Sequence, residues 1–142
     1  MKERLFCEFK VRSYELDAYG HVNHAVFLNY YEQARLEFLE QKGLSFHTLW
    51  EEGYIFVIVR AEIDYFKPLA ISEQIIIGGE LESIGTTSLT LHQEIVRSFD
   101  QDVVSRAKFV AVFLDRSTQK PAPVPESFLR AFSVSLQDKL SE

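Results

Sequence analysis

Asp17, His21, Asn23 and His24 fall within eight consecutive positions, in the stretch SYELDAYGHVNHAVFLNYYEQAR. A carboxylate beside two imidazoles can act as an acid–base pair, supply a nucleophile, or bind a metal ion. The metal reading is weak. The His-x-x-His spacing has no accompanying carboxylate at a familiar distance and no cysteine partner, so no metal and no other cofactor is expected. Asn23 has a simpler use as the N-cap of a following helix, its amide oxygen accepting a first-turn N–H. Asp17 has two readings that stay open on spacing alone: a reactive carboxylate, or a loop residue closing an Asx turn into Ala18-Tyr19-Gly20. The first N–H groups of a helix have no internal partners and sit at the positive end of its dipole. A carbonyl aimed at them is polarised, and a carboxylate on the preceding loop could reach the same carbon.

The elements around this cluster follow from periodicity. Residues 4–12 alternate, with Leu5, Cys7, Phe9 and Val11 on one side, which is a strand pattern. Residues 24–42 read as one long helix ended by Gly43. Its first half carries Ala25, Val26, Phe27, Leu28, Tyr30 and Tyr31 and so should be buried nearly all round. A loop or short helix follows, with Phe46, Leu49 and Trp50. Four strand-like stretches come next, at 55–67, 74–83, 87–98 and 103–114. In the first of them Val57, Val59, Ala61, Ile63 and Tyr65 share one face. Short connections at Ile84-Gly85-Thr86 and Phe99-Asp100-Gln101 suit hairpins. The proline-rich segment from Lys120 to Pro125 breaks the pattern, and Phe128, Leu129, Phe132 and Leu136 then recur at helical spacing. Strand, buried helix, four strands and a tail helix are satisfied by one α+β domain, a five-stranded antiparallel sheet wrapped around a single helix. A core over 1–115 and a linker plus tail helix over 116–142 make up that domain.

Composition narrows the class. The 142 residues carry a net charge of −6, which argues against a nucleic-acid surface. No apolar run is long enough for a transmembrane helix, and the N-terminus lacks a secretory h-region, so no membrane association is expected. The lone cysteine, Cys7, fits a reducing compartment, and the expected location is cytoplasmic. Cys7 lies on the apolar side of its strand, where a packed thiol is the expected reading.

With the pattern laid out, YELDAYGHVNHAVFLNYYEQAR followed by AEIDYFKPL at 61–69 resembles the hot-dog-fold thioesterases of the 4-hydroxybenzoyl-CoA thioesterase branch. The resemblance runs to about Leu114. It is most specific from Asp17 to Arg35. It implies hydrolysis of acyl thioesters of coenzyme A or acyl carrier protein, and self-association to a dimer, often a dimer of dimers, with active sites at the dimer interface. By the resemblance, Asp17 is the catalytic carboxylate and the main-chain N–H of His24 clamps the thioester carbonyl. His21 is then structural, bonding within the turn. Another branch of the fold keeps its acid on the central helix, near Glu32, which otherwise would pair with Arg35 one turn on. In the inferred fold residues 57–60 run past the helix start. Val59 and Arg60, with Asn23 and Lys67, are therefore the candidate substrate-binding residues.

Two features depart from the family. Relatives often place a tyrosine four residues before the Asp, where this chain has Ser13, with Tyr14 one place later. Aromatic-acyl relatives hold coenzyme A phosphates with a basic cluster at the turn that here reads Gly85-Thr86-Thr87-Ser88. Arg60, Lys67, Arg97, Arg106 and Lys108 are the remaining candidates for that task. A hydratase or dehydratase of the same fold, pairing Asp17 with His21, and a non-catalytic acyl-thioester binder are the alternative functions.

Overall fold

A computed structural model describes residues 3–132. The chain begins with strand β1 (Leu5–Lys10), then a single 3-10 turn at Ser13–Glu15, the long helix α1 (His24–Gln41) and the short helix α2 (Phe46–Glu51). Strands β2 (Tyr54–Tyr65), β3 (Gln74–Ile84), β4 (Ser88–Arg97) and β5 (Val103–Asp115) follow, and helix α3 (Glu126–Ala131) comes last. The continuation of the tail helix to Leu136 lies outside the described residues.

All pairings are antiparallel, and the sheet order is β1-β3-β4-β5-β2. This is the hot-dog arrangement, with α1 lying in the curve of the sheet. Helix α1 starts and stops where its caps dictate. The Asn23 side chain accepts a hydrogen bond from the Ala25 N–H. At the other end Gly43 takes a φ of 76°. Its N–H bonds to the Glu40 carbonyl, and the Leu44 N–H bonds to the Leu39 carbonyl, which makes a Schellman stop.

Phe27, Tyr30, Tyr31, Ala34 and Phe38 of α1 are buried against Ile75, Ile77, Ile95 and Phe109 of the sheet. The expectation that the first half of α1 is enclosed on all sides is corrected. Ala25 and Leu28 are exposed, because the sheet of one chain covers only one side of the helix. A second core lies under α2 and α3, where Leu39, Leu49, Leu89, Phe113 and Phe128 meet. Cys7 is buried in the first of these cores, and burial first and the Glu37 charge second push its thiol up to about 12. It is a packing residue.

Strand β2 departs from strict alternation. Ile58 pairs with Ala111 and Arg60 with Val110, so Val59 is an extra residue in a β-bulge. Ala61, Ile63 and Tyr65 keep the helix-facing side, opposite Phe109, Ala107 and Ser105. Before the bulge the parity is reversed. Phe56, opposite Phe113, faces the core, and Val57 and Val59 do not share the face of Ala61. The face assigned from sequence to Val57 and Val59 is thus corrected: one inserted residue flips every side chain on one side of it.

Candidate active site

The segment between β1 and α1 is folded back on itself. Leu16 and Val22 form an isolated antiparallel bridge, and the Asp17 N–H donates to the His21 carbonyl at 2.7 Å. Gly20, at φ 80°, makes the reversal and bonds through its N–H to the Asp17 carbonyl. Asp17 is therefore held opposite His21, only a short step from the helix cap. Its Oδ1 accepts the N–H of Tyr19 at 2.8 Å and that of His21 at 3.2 Å. Among the described residues Oδ2 has no hydrogen-bond partner, and the side chain is exposed. The turn-forming use and the chemical use of this carboxylate are not exclusive. One oxygen shapes the loop and the other faces outward.

Three contacts from below fix the loop. The Asn23 N–H donates to the Glu15 carbonyl at 3.0 Å. The buried Glu15 carboxylate in turn accepts from the Arg12 main chain at 2.7 Å, from the Arg12 guanidinium, and from the Tyr30 hydroxyl at 2.8 Å. Burial pushes the Glu15 carboxyl up, but these donors outweigh it and hold the group below its ordinary range. Burial first, and Glu15 second, raise the Tyr30 phenol, so its hydroxyl stays a donor. The third contact comes from Leu69, whose carbonyl accepts the Val22 N–H at 2.9 Å.

Tyr65, at the end of β2, completes the junction. Its hydroxyl donates to the His24 carbonyl at 3.2 Å, and its ring meets those of His24 and Phe27 edge-on. The His24 N–H is the first of the helix and has no partner among the described residues. Asn23, by contrast, spends its side-chain oxygen on the cap. The two histidines play different parts: His21 acts through its main chain in the turn, and the His24 ring leans on Tyr65. No three His, Cys, Asp or Glu side chains among the described residues converge to hold a metal ion.

The remaining sequence candidates are dispersed within one chain. Lys67 lies two residues before Leu69, close to the loop, but is paired with Asp102. Arg60 is paired with Glu62 at 2.6 Å, and Val59 is the exposed bulge residue. Neither is brought to Asp17 by the single chain. Arg97 is paired with Asp100, Arg106 with Glu94 and Lys108 with Glu82, so each of these bases has an acidic neighbour. Glu32 makes no ion pair with Arg35. That guanidinium instead turns inward, donating to Gln93 at 3.0 Å and lying 4.4 Å from the Phe109 ring centre. Tyr14 is exposed against the Arg12 guanidinium.

Sequence reasoning passed over Glu15, Tyr30, Tyr65 and Leu69 as site residues. Tyr65 and Leu69 belong to the AEIDYFKPL segment, and their contacts explain why that segment accompanies the loop: it holds the loop and the helix start from the other side. Nothing in the local spacing of Glu15 points to Tyr30.

An exposed carboxylate with one unbonded oxygen, on the loop that leads into an unpartnered helix N–H, is the minimal apparatus for attack on a polarised carbonyl. The class agrees with known proteins. The thioesterase-like superfamily matches residues 11–132, which extends the likeness past Leu114 into α3. The chain belongs to this superfamily and is a thioester hydrolase of the hot-dog fold. The long-chain acyl-CoA thioesterase FadM of Escherichia coli (strain K12) is 35% identical over 113 residues, covering 80% of this chain and 85% of that protein. The acyl-CoA thioester hydrolase YbgC of Escherichia coli O6:H1 is 31% identical over 134 residues, 93% of this chain and 98% of that one. The crystal structure of the probable thioesterase YbaW from Escherichia coli superposes with a TM-score of 0.78 at 32% identity, covering 89% of this chain and 94% of that one.

Proposed function

We propose that the protein hydrolyses an acyl thioester of coenzyme A, or of acyl carrier protein, to the free acid and the thiol. The Asp17 carboxylate is the nucleophile or the general base, and the His24 N–H polarises the thioester carbonyl. The observation that supports this reading is the pairing of an uncommitted Asp17 oxygen with an uncommitted first helix N–H across one loop. A single oxyanion donor is worth about 3 kcal/mol of transition-state stabilisation, so no metal is needed.

The working unit in this reading is a homodimer, or a dimer of dimers, joined through β2. That strand is the long outer edge of the sheet, and its Ile58 and Val59 are exposed in one chain. An exposed, apolar edge strand favours pairing with another strand. The same pairing carries Val59 and Arg60 toward a neighbouring site, where they join Asn23 and Lys67 around substrate. The reading places the enzyme in the cytoplasm, where a lone thiol stays reduced. No helix among the described residues is long and apolar enough to cross a membrane.

The test is thiol release from short, medium, long and aromatic acyl-CoAs. Turnover by wild type, and its loss in Asp17→Asn, is the expected result. An inert wild type, or a fully active Asp17→Asn, overturns the proposal.

A further inference from the structure

The Val22 N–H and the Leu69 carbonyl meet at 2.9 Å, and each belongs to a peptide unit that is bonded again on its other side. The Leu69 carbonyl shares a planar unit with the Ala70 N–H, and the His21 carbonyl shares one with the Val22 N–H. The Ala70 N–H donates to Oε1 of Glu73 at 3.2 Å, and the His21 carbonyl accepts the Asp17 N–H at 2.7 Å. Three hydrogen bonds through two peptide units therefore run in series from the Glu73 carboxylate to the main chain of Asp17. In every one of them the donor lies on the Asp17 side. Such a series strengthens itself, because each bond polarises the peptide unit behind it, and a carboxylate at the accepting end is the strongest terminus it can have.

Glu73 has no competing use for that oxygen. It stands just ahead of β3 with its side chain partly buried. The neighbouring Arg97 guanidinium spends its hydrogen bonds elsewhere, Nη2 on Asp100 at 2.7 Å and Nη1 on the Pro68 carbonyl at 3.2 Å. Its Nε stays 3.7 Å from Oε2 of Glu73, and among the described residues that buried oxygen has no hydrogen-bond partner. A buried oxygen left in this state calls for an explanation. Closing the local turn is not one, since the Glu73 N–H already closes it on the Ala70 carbonyl at 3.3 Å. Arg97 and Glu73 instead hold the two peptide units on either side of Leu69, one by its carbonyl and the other by its N–H.

We propose that Glu73 is a positioning residue for thioester hydrolysis: through Ala70, Leu69, Val22 and His21 its carboxylate sets the main chain of Asp17, and with it the aim of the Asp17 side chain. The inference rests on the reading of Asp17 as the reacting carboxylate. Glu73 acts through the main chain alone, so it governs how often Asp17 is correctly aimed and leaves substrate affinity untouched. A misplacement of about 1 Å caused far from the chemistry can lower a rate by up to roughly 10²-fold.

The experiment measures kcat and KM of wild type, Glu73→Ala, Glu73→Gln and Asp17→Asn on whichever member of the acyl-CoA panel wild type turns over fastest. Amide hydrogen exchange of wild type and the two Glu73 variants is followed alongside. In Glu73→Ala, which removes the acceptor, kcat should fall about tenfold at unchanged KM, the scale of one hydrogen bond to a charged group. Glu73→Gln keeps an oxygen for the Ala70 N–H and should stay within about threefold of wild type. The Asp17 and Val22 amides should exchange faster in both variants, most in Glu73→Ala, while the amides of the central strand β4 keep the wild-type rate. The Glu73→Gln exchange keeps the test available if Glu73→Ala does not fold. A wild-type kcat in folded Glu73→Ala, or unchanged exchange at Asp17 and Val22, overturns the inference; an inactive Asp17→Asn then leaves the Asp17 reading standing. A fully active Asp17→Asn, or a wild type inert on the whole panel, overturns that reading and this inference with it.

Discussion

The Tyr65 hydroxyl donates to the main-chain carbonyl of His24, so the last residue of the edge strand β2 holds the first residue of the central helix. The residue whose N–H is proposed to polarise the substrate carbonyl is thereby held through its carbonyl. Tyr65→Phe removes that bond and keeps the edge-on ring contact with Phe27. A neutral hydrogen bond contributes about 1 kcal/mol, so kcat should fall about fivefold with little change in thermal midpoint. Steady-state kinetics beside a melting curve check this; a wild-type kcat in Tyr65→Phe would remove Tyr65 from the positioning role.

Asp17 has one oxygen bonded within the turn and one proposed for chemistry, and two substitutions separate the two uses. Asp17→Asn retains an acceptor for the Tyr19 and His21 N–H groups, so the loop should keep its shape. Activity should still fall by about 10²–10⁴, the usual contribution of a positioned acid–base group. Asp17→Ala loses the acceptor as well and should also lose about 1 kcal/mol of stability. Hydrolysis in heavy-oxygen water under single turnover then distinguishes the two routes: label in Asp17 marks covalent attack, and label only in the product acid marks attack by water.

Glu15 ties the loop to the helix through Arg12 and Tyr30. Its carboxyl sits below its ordinary range in the folded protein despite burial, which opposes the shift. Ionised Glu15 therefore adds stability above the unfolded carboxylate value, near pH 4, and that stability fades as pH falls through the lower folded value. Glu15→Gln should cost about 2 kcal/mol at neutral pH, the scale of hydrogen bonds to a charged group, and the gap from wild type should narrow in acid. Urea unfolding across a pH series measures both.

Arg35 is a buried cation with no carboxylate in an ion pair among the described residues, and desolvation lowers it to about 10, partly opposed by the Glu32 charge. Because the folded state disfavours its charged form, this group costs stability below that value and the cost is relieved as pH rises through it. Arg35→Met, which keeps length and apolar contact with Phe109, should be as stable as wild type or more so at neutral pH. Arg35→Lys, which loses the planar stack, should be less stable than wild type. Denaturant midpoints of the three proteins give the order.

The edge of β2 carries the proposed dimer. Ile58→Glu places a charge on that exposed strand and should shift the protein toward monomer in sedimentation velocity, with activity falling alongside. An Ile58→Glu protein that sediments as wild type would move the contact elsewhere.

The parts of the site that are readable in the sequence are those closed by bonds between near neighbours. Asn23 caps α1 through Ala25, two residues on, and Gly43 stops it through bonds to Glu40 and Leu39. The Asp17 turn closes on Tyr19 and His21. Each is encoded by residue type at a fixed short offset, and strand alternation is similarly local. The five strands, the long helix and the loop–helix junction follow from these signals together.

The bulge at Val59 escapes them, since an inserted residue in a strand is defined by its partner strand and not by its own neighbours. Tyr65 reaches His24 across 41 positions, Arg35 reaches Gln93 across 58, and Tyr31 reaches Ser105 across 74. Glu32, assigned by helical spacing to Arg35, loses that partner to the sheet. The sequence by itself determined where a candidate reactive carboxylate and an open helix end occur together. Only the tertiary structure decided what grips them, because the gripping residues lie far apart in the chain and no local spacing announces them.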